Sequence, residues 1–365
     1  MKYFIIAGEP SGDNYGALLM DALTLEDNKA EFQFVGGPKM KAESPNQLIS
    51  IEDTAFMGFW EVLKNIFNIK QLFKSVKKSI LEFKPDTLIL IDYPGFNLRI
   101  VNWAYDQGIK ITYYVSPQLW AWKKNRYKIL RDKVDLFFVI LPFEKKFFEQ
   151  LNTPCQYFGH PLTELIPQQN KNLKEVKQVG LFPGSRAQEV EKHLKIFSEL
   201  AHFYPQYEFT VAGLSHISEA IYRKHLKQSG KNLKLVFDDP YQIMEESDVA
   251  ITSSGTATLE LVLFETPQIV VYATSQLSYL IGKNLIGLKY ISLVNLILDK
   301  SVVTELIQQE LNLANLKNNF EEILDISQRE KMITAYRKIR KLLGDNHVSE
   351  KVAKNIYQYC NDQVT

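Results

Sequence analysis

The stretch Asp248-Val249-Ala250-Ile251-Thr252-Ser253-Ser254-Gly255-Thr256-Ala257-Thr258-Leu259-Glu260 changes character twice. Residues 249–252 are apolar and mostly β-branched, the composition of a short buried strand. Ser253 to Thr256 form a tight polar turn, and residues 257–264 read as a helix opening directly from it. A helix that starts this way presents unpaired N–H groups at the positive end of its dipole, a ready place for phosphate. Gly255 lets a ligand approach the backbone, and Thr256 adds a hydroxyl. Glu260, one turn into the helix, is placed to accept hydrogen bonds from a ribose diol. An ordinary strand–helix turn of an α/β protein has the same local pattern, so the rest of the chain has to decide.

Upstream, the pattern repeats. Residues 179–182 are a strand, and Pro183-Gly184-Ser185-Arg186 is a second small-residue turn before a helix. An arginine beside exposed N–H groups is well placed to hold a diphosphate. Pairing of Arg186 with Glu189 or Glu191 on the surface is the alternative. Residues 208–211, 233–237 and 268–272 continue the strands, with helices between. From residue 303 onward the pattern reads as helical, broken at Gly344-Asp345-Asn346-His347 before a last helix to about Cys360.

The first half has the same alternation with different turns. Residues 2–7 form a strand that ends in Gly8-Glu9-Pro10-Ser11-Gly12-Asp13. There is no GxGxxG and no GxxxxGK[ST], so neither a dinucleotide fingerprint nor a P-loop is present. Acidic residues in a glycine turn repel phosphate and suit a hydroxyl-rich ligand such as a sugar; Ser11 or Asp13 as a helix N-cap is the plainer reading. Residues 32–35, 86–91, 110–115, 136–140 and 156–158 are further strands. Asp92 stands at the C-terminal end of its strand, where open α/β sheets bind ligands, and is a general-base candidate. After residue 115 come Ser116, Trp120 and Trp122; the tryptophans either stack on sugar faces or close the base of the domain. Gly159-His160-Pro161 ends the half.

Residues 56–83 read as one long helix. Its apolar arc, which includes Phe56, Met57, Trp60, Leu63, Phe67 and Phe73, is wider than one core contact needs, and lysines flank it. Such a helix either lies buried between layers or docks on an anionic bilayer.

Composition bounds these readings. The chain has 365 residues, enough for two domains, a formal net charge of +1 that gives no reason to expect nucleic acid, and two distant cysteines, Cys155 and Cys360, that exclude a disulfide framework. The first seven residues are too short for a signal-peptide core, and no uncharged apolar run is long enough to cross a bilayer. A cytoplasmic protein is expected. The polar stretch 168–177 is the best linker. Two β/α halves joined there predict an α/β architecture of two Rossmann-like domains facing a cleft. The expected bounds are residues 1–167 for the acceptor domain, which is also the membrane-docking domain if the helix from residue 56 meets a bilayer, 168–345 for the nucleotide-binding domain, and 346–365 for a C-terminal helix that packs back toward the first. No Asp-x-Asp occurs, so a bridging metal has no evident ligands and Arg186 with helix N-termini would have to stabilise a leaving diphosphate.

At this point the residues carry a resemblance. Ala7-Gly8-Glu9-Pro10-Ser11-Gly12-Asp13, Ile91-Asp92-Tyr93-Pro94, Val115 to Trp122, Leu141-Pro142-Phe143-Glu144, Pro183-Gly184-Ser185-Arg186, Ser254 to Glu260 and Ser292-Leu293-Val294-Asn295 resemble, in order, the motifs of the lipid-A-disaccharide synthase family, glycosyltransferase family 19. The resemblance covers nearly the whole chain. It implies a GT-B fold and an inverting, metal-independent glycosyltransferase that needs no cofactor. It implies transfer of 2,3-diacylglucosamine from UDP-2,3-diacylglucosamine to the 6-hydroxyl of 2,3-diacylglucosamine 1-phosphate, which makes a β-1,6 disaccharide and UDP. Peripheral attachment to the cytoplasmic face of the inner membrane and a homodimer with exchanged C-terminal parts are implied as well.

In that reading Asp92 matches the family's essential aspartate and Arg186 its essential arginine, with Glu9 and Ser11 in the loop that faces the cleft. Gly184, Ser185, Ser254, Gly255, Thr256, Glu260 and Asn295 serve UDP. Gly8, Gly12, Asp13, Ser116, Trp120, Trp122 and His160 fall on the acceptor side, and the wide apolar arc falls where the family docks on membrane. Gly95, Ser253 and Val294 depart from the usual aspartate, alanine and proline, and Gly95 weakens any two-carboxylate account of the base. A UDP-N-acetylhexosamine 2-epimerase of the same fold and a non-catalytic nucleotide-sugar or lipid-binding protein are the rival readings.

Overall fold

The structure, a computed structural model, describes residues 1–51, 66–120, 124–226, 231–273 and 289–362, with the backbone alone at 66–69 and 124. The chain divides into two compact units, Met1–Glu164 with Leu343–Thr365, and Leu165–Leu342.

The first unit is built on seven parallel strands: β1 (Lys2–Ala7), β2 (Glu31–Gly36), β3 (Gln47–Ser50), β4 (Thr87–Ile91), β5 (Ile111–Tyr114), β6 (Leu136–Val139) and β7 (Gln156–Tyr157), in the spatial order β3-β2-β1-β4-β5-β6-β7. The central strands read as near-continuous apolar runs because helices cover both faces; β1 is buried from Tyr3 to Ala7 and β4 along its whole length. Phe4, Ile6, Leu88, Leu90, Tyr113 and Val139 meet Val76, Ile80, Ile100 and Phe148 of the covering helices in one core.

The second unit repeats the plan with β8 (Gln178–Phe182), β9 (Glu208–Gly213), β10 (Leu233–Phe237), β11 (Val249–Ser253), β12 (Gln268–Tyr272) and β13 (Glu305–Ile307), ordered β10-β9-β8-β11-β12-β13 and parallel throughout. Counted within each unit, the strand order is 3-2-1-4-5-6, the doubly wound Rossmann order, with a seventh strand, β7, added beside β6 in the first unit. Its consequence is positional. The order reverses between β1 and β4 in one unit and between β8 and β11 in the other. In each unit the turns leaving its two strands therefore flank that sheet's own crevice at the carboxyl ends, where such sheets take ligands.

Three local expectations change. Residues 305–307, read as helical, form the edge strand β13, paired with β12 from Val270↔Glu305 to Tyr272↔Ile307; a strand this short shows no alternation to read. Residues 47–50 form β3, which the polar flanks conceal. The long helix expected from residue 56 is described from Ile66 to Phe83. Phe56, Met57, Trp60 and Leu63 lie outside the described residues, as does the side chain of Phe67. Phe73 is half-buried and stacks on Phe96 at 4.2 Å between ring centroids, so it belongs to the core rather than to a free apolar face.

The last helix, Val348–Asn361, packs along helix Pro10–Glu26. Glu164 fastens its start: its carboxylate accepts from Ser349 N and Ser349 Oγ, both at 2.6 Å. Thr163 Oγ1 donates to Asp345 O at 2.7 Å.

Candidate functional site

In the first unit, β1 runs into Gly8 and Glu9, and helix Pro10–Glu26 starts at once with Glu9 as N-cap residue. The alternative that Ser11 or Asp13 caps this helix is corrected. Asp13 is buried, and its carboxylate accepts from Gly37 N (2.7 Å), Lys39 N (2.9 Å) and Met40 N (3.1 Å), the start of helix Pro38–Glu43. It caps the neighbouring helix. Glu9 is exposed and Ser11 half-buried. Gly8 is required by close approach, because a Cβ there would lie 2.3 Å from the Tyr93 ring. Gly12 is under no such demand: a Cβ would meet its nearest neighbour at an ordinary 3.4 Å.

β4 delivers Asp92 to the same crevice. Asp92 and Tyr93 have φ of 44° and 48°, a left-handed pair without glycine. Each such residue costs on the order of 1–3 kcal/mol and persists only where its surroundings hold it. Tyr93 stacks on Phe96, and helix Pro94–Asp106 leaves from the turn. The half-buried Asp92 carboxyl is pushed up from an ordinary 3.8 to about 8, first by loss of water and then by the charges of Glu9 and Glu144. A carboxylate this basic is suited to taking a proton from a sugar hydroxyl.

Glu144 is the group that sequence reading missed as a site residue, although its motif was part of the resemblance. It is buried at the start of helix Pro142–Glu149. Ser116 Oγ (2.9 Å), Trp120 Nε1 (3.0 Å), Ile140 N (3.2 Å) and Leu141 N (3.0 Å) all donate to its carboxylate. Burial nevertheless raises it to about 7. Ser116 and Trp120 are thus held by Glu144, and Trp120 also meets Phe143 edge-on at 5.1 Å. Trp122 lies outside the described residues. His160 is buried, accepts from Leu162 N at 3.2 Å on Nδ1, and loss of water lowers it to about 3. It is a neutral core histidine beside Tyr15, which corrects its assignment to the acceptor side.

In the second unit, β8 ends in Pro183 to Arg186. Gly184 has φ 116°, a conformation open to glycine. Ser185 is exposed. Arg186, at the N-cap of the long helix Ala187–Phe203, is 78% exposed in its side chain and pairs with Glu189 at 3.1 Å. An ion pair this exposed is weak, about 0–1 kcal/mol, and yields readily to a multiply charged ligand. A second missed residue braces this turn. His193, buried and kept neutral by loss of water, bonds Pro183 O at 2.7 Å through Nδ1 and accepts from Ala273 N at 3.1 Å on Nε2. That pattern fixes the Nδ1–H tautomer and ties the ends of β8 and β12 together.

β11 ends in Ser253, and Thr256 is the N-cap residue of helix Ala257–Leu263. This helix is less than half the length of the one at Arg186, so the better anion end lies at Arg186. Among the described residues, nothing lies within 4 Å of where a Cβ on Gly255 would stand. Ser254 Oγ donates to Ile291 O at 3.0 Å. Glu260 is half-buried and pushed up to about 7 by loss of water, with Tyr241 Oη donating to it at 3.2 Å. Asn295 is buried. Its Nδ2 donates to Val303 O and Glu305 Oε1, both at 2.9 Å, and its Oδ1 accepts from Val302 N (2.7 Å) and Val303 N (3.0 Å). All four of its hydrogen-bonding positions are filled within the protein, so in this structure it shapes the loop before β13. Glu305 completes that loop by accepting from Ile291 N and Ser292 N, each at 2.9 Å.

Among the described residues no group of three or more His, Cys, Asp or Glu is arranged to hold a metal, and no helix is long and apolar enough to cross a membrane.

Comparison with known proteins agrees with this layout. A sequence model of the lipid-A-disaccharide synthetase family matches residues 3–358. The chain is similar to the lipid-A-disaccharide synthase of Trichlorobacter lovleyi, 35% identical over 369 residues that cover 96% of each chain. In fold it is similar to the UDP-GlcNAc 2-epimerase of Neisseria meningitidis solved with UDP-GlcNAc, with TM-score 0.61, 13% identity, and 98% of this chain and all of that one covered. The spinosyn rhamnosyltransferase SpnG is comparable, with TM-score 0.61, 10% identity and coverage of 98% and 100%. At such identities these two likenesses establish the GT-B type fold of two Rossmann-like domains and nothing of the reaction. Matched over nearly its whole length, the chain belongs to the lipid-A-disaccharide synthase family.

Proposed function

We propose that this synthase transfers 2,3-diacylglucosamine from UDP-2,3-diacylglucosamine to the 6-hydroxyl of 2,3-diacylglucosamine 1-phosphate with inversion at the anomeric carbon. The acceptor oxygen attacks that carbon from the face opposite UDP, the bond to the diphosphate breaks, and the acceptor proton passes to Asp92. UDP leaves as an anion received by Arg186 and the turns at Gly184 and Gly255, with Glu260 on its ribose and no metal required. The observation that carries this reading is Asp92 itself, a carboxylate raised to about 8 at the topological switch point of the first sheet. Glu9 and Ser11 line the approach of the acceptor from the adjoining turn.

The acyl chains require a lipid surface, so the reading includes docking of residues 56–67 on the cytoplasmic face of the inner membrane, with a homodimer as the working form. Changing Phe56, Trp60 and Phe67 to serine should reduce sedimentation with anionic liposomes; unchanged sedimentation would remove the docking segment from the account. The reaction is tested with both purified substrates in mild detergent with EDTA present. Acceptor-dependent UDP release and a tetra-acylated disaccharide by mass spectrometry are expected. UDP binding without turnover, with magnesium restored and acyl lengths varied, would instead indicate a binding protein.

A further inference from the structure

The left-handed pair Asp92–Tyr93 is gripped from two sides. The Asp92 carbonyl accepts from Tyr113 Oη at 2.6 Å and from Asn97 Nδ2 at 2.8 Å. The same amide lies 3.2 Å from Ile91 O and 3.4 Å from Ile6 O, so it gathers the ends of β4 and β1. Asn97 and Tyr113 are both fully buried. Among the described residues, the Asn97 Oδ1 has no hydrogen-bond partner. A buried amide left half-satisfied is a poor choice for packing alone, where an apolar side chain would lose less. Its donors converge on the turn that carries the base. The ring of Tyr93 then covers Gly8, which links this turn to the Gly8–Glu9 loop.

We propose that Asn97 and Tyr113 are positioning residues for the Asp92 base, gripping its carbonyl so that the left-handed turn holds the carboxylate in place for the acceptor hydroxyl. The proposal rests on the reading of Asp92 as the base. The charged and titratable groups that face Asp92 are Glu9 from the turn after β1, Glu144 from the start of helix Pro142–Glu149, and the hydroxyl-bearing Tyr93 and Tyr113. A turn released from its grip lets the carboxylate reach more water, which lowers its proton affinity.

The test uses the full-length enzyme and four readouts: kcat, KM for each substrate, the pH midpoint of kcat, and Tm. Tyr113→Phe keeps the ring against Phe137 and removes one donor. It should lower kcat about 10-fold, leave both KM values within about two-fold, and move the midpoint to lower pH. Asn97→Ala should lower kcat about 100-fold with the same shift; should that variant fail to fold, Tyr113→Phe decides. Asp92→Asn is run in parallel. An inactive Asp92→Asn beside a Tyr113→Phe enzyme with wild-type kcat and pH midpoint overturns the positioning role alone, whatever happens to Tm. A fully active Asp92→Asn overturns the base and the positioning role together.

Discussion

The two units share a strand order and differ in what they place at its reversal. In the first, the turns after β1 and β4 bring carboxylates into partly dry surroundings, with two consecutive left-handed residues and a carboxyl raised to about 8. In the second, the turns after β8 and β11 bring small residues, hydroxyls and an arginine that is 78% exposed. The topology supplies the crevice in both; the side chains that leave the strands decide whether it holds a base or receives an anion. The proposed inverting transfer uses one of each, which would give a physical reason for an enzyme made from two copies of one plan.

The largest effect that breaks this comparison is loss of the proposed base. Asp92→Asn should lower kcat about 10²–10⁴-fold with little change in UDP binding, measured by initial rates and by calorimetric titration with UDP. Near-normal turnover would make the two crevices alike in having no base. On the other side, Arg186→Ala should weaken UDP binding about 10–100-fold, because a charge-assisted contact to diphosphate is lost while the Glu189 pair contributes little. Unchanged UDP affinity and rate would return Arg186 to a surface ion pair.

A thermal measurement sharpens the contrast further. Asp92 is raised in the folded state from 3.8 to about 8. Its contribution to stability is therefore full below the unfolded value and is lost as pH rises through the folded one. Asn at this position cannot ionise. Asp92→Asn should melt with the wild type near pH 4, then increasingly above it, with the gap levelling off beyond about pH 8. The smallest effect belongs to the exposed pair: Glu189→Gln should change stability by less than about 1 kcal/mol in denaturant unfolding.

Much of this was legible in the chain. Strands such as 2–7, 86–91 and 249–252 announce themselves as apolar β-branched runs that stop at glycine or aspartate, and the turns that follow carry Asp92, Arg186 and Glu260. Edge strands β3 and β13 were hidden because a few residues beside one neighbour need no apolar alternation. Asp13, His160 and Asn295 stand in the right motifs, yet their hydrogen bonds go to the protein itself, which a linear pattern cannot show. Glu144 and His193 were missed for the converse reason. Each belongs to an amphipathic helix and gains its meaning from groups of loops distant in sequence, such as the Ser116 hydroxyl and the Ala273 N–H.

The most direct test of the division between base and anion receptor is the pH dependence of kcat for acceptor-dependent UDP release. The base reading requires kcat to rise with pH and level off through a midpoint near 8, and Asp92→Asn to lose both the rate and that limb. A profile flat from pH 6 to pH 9, shared by wild type and Asp92→Asn at similar rates, would contradict it.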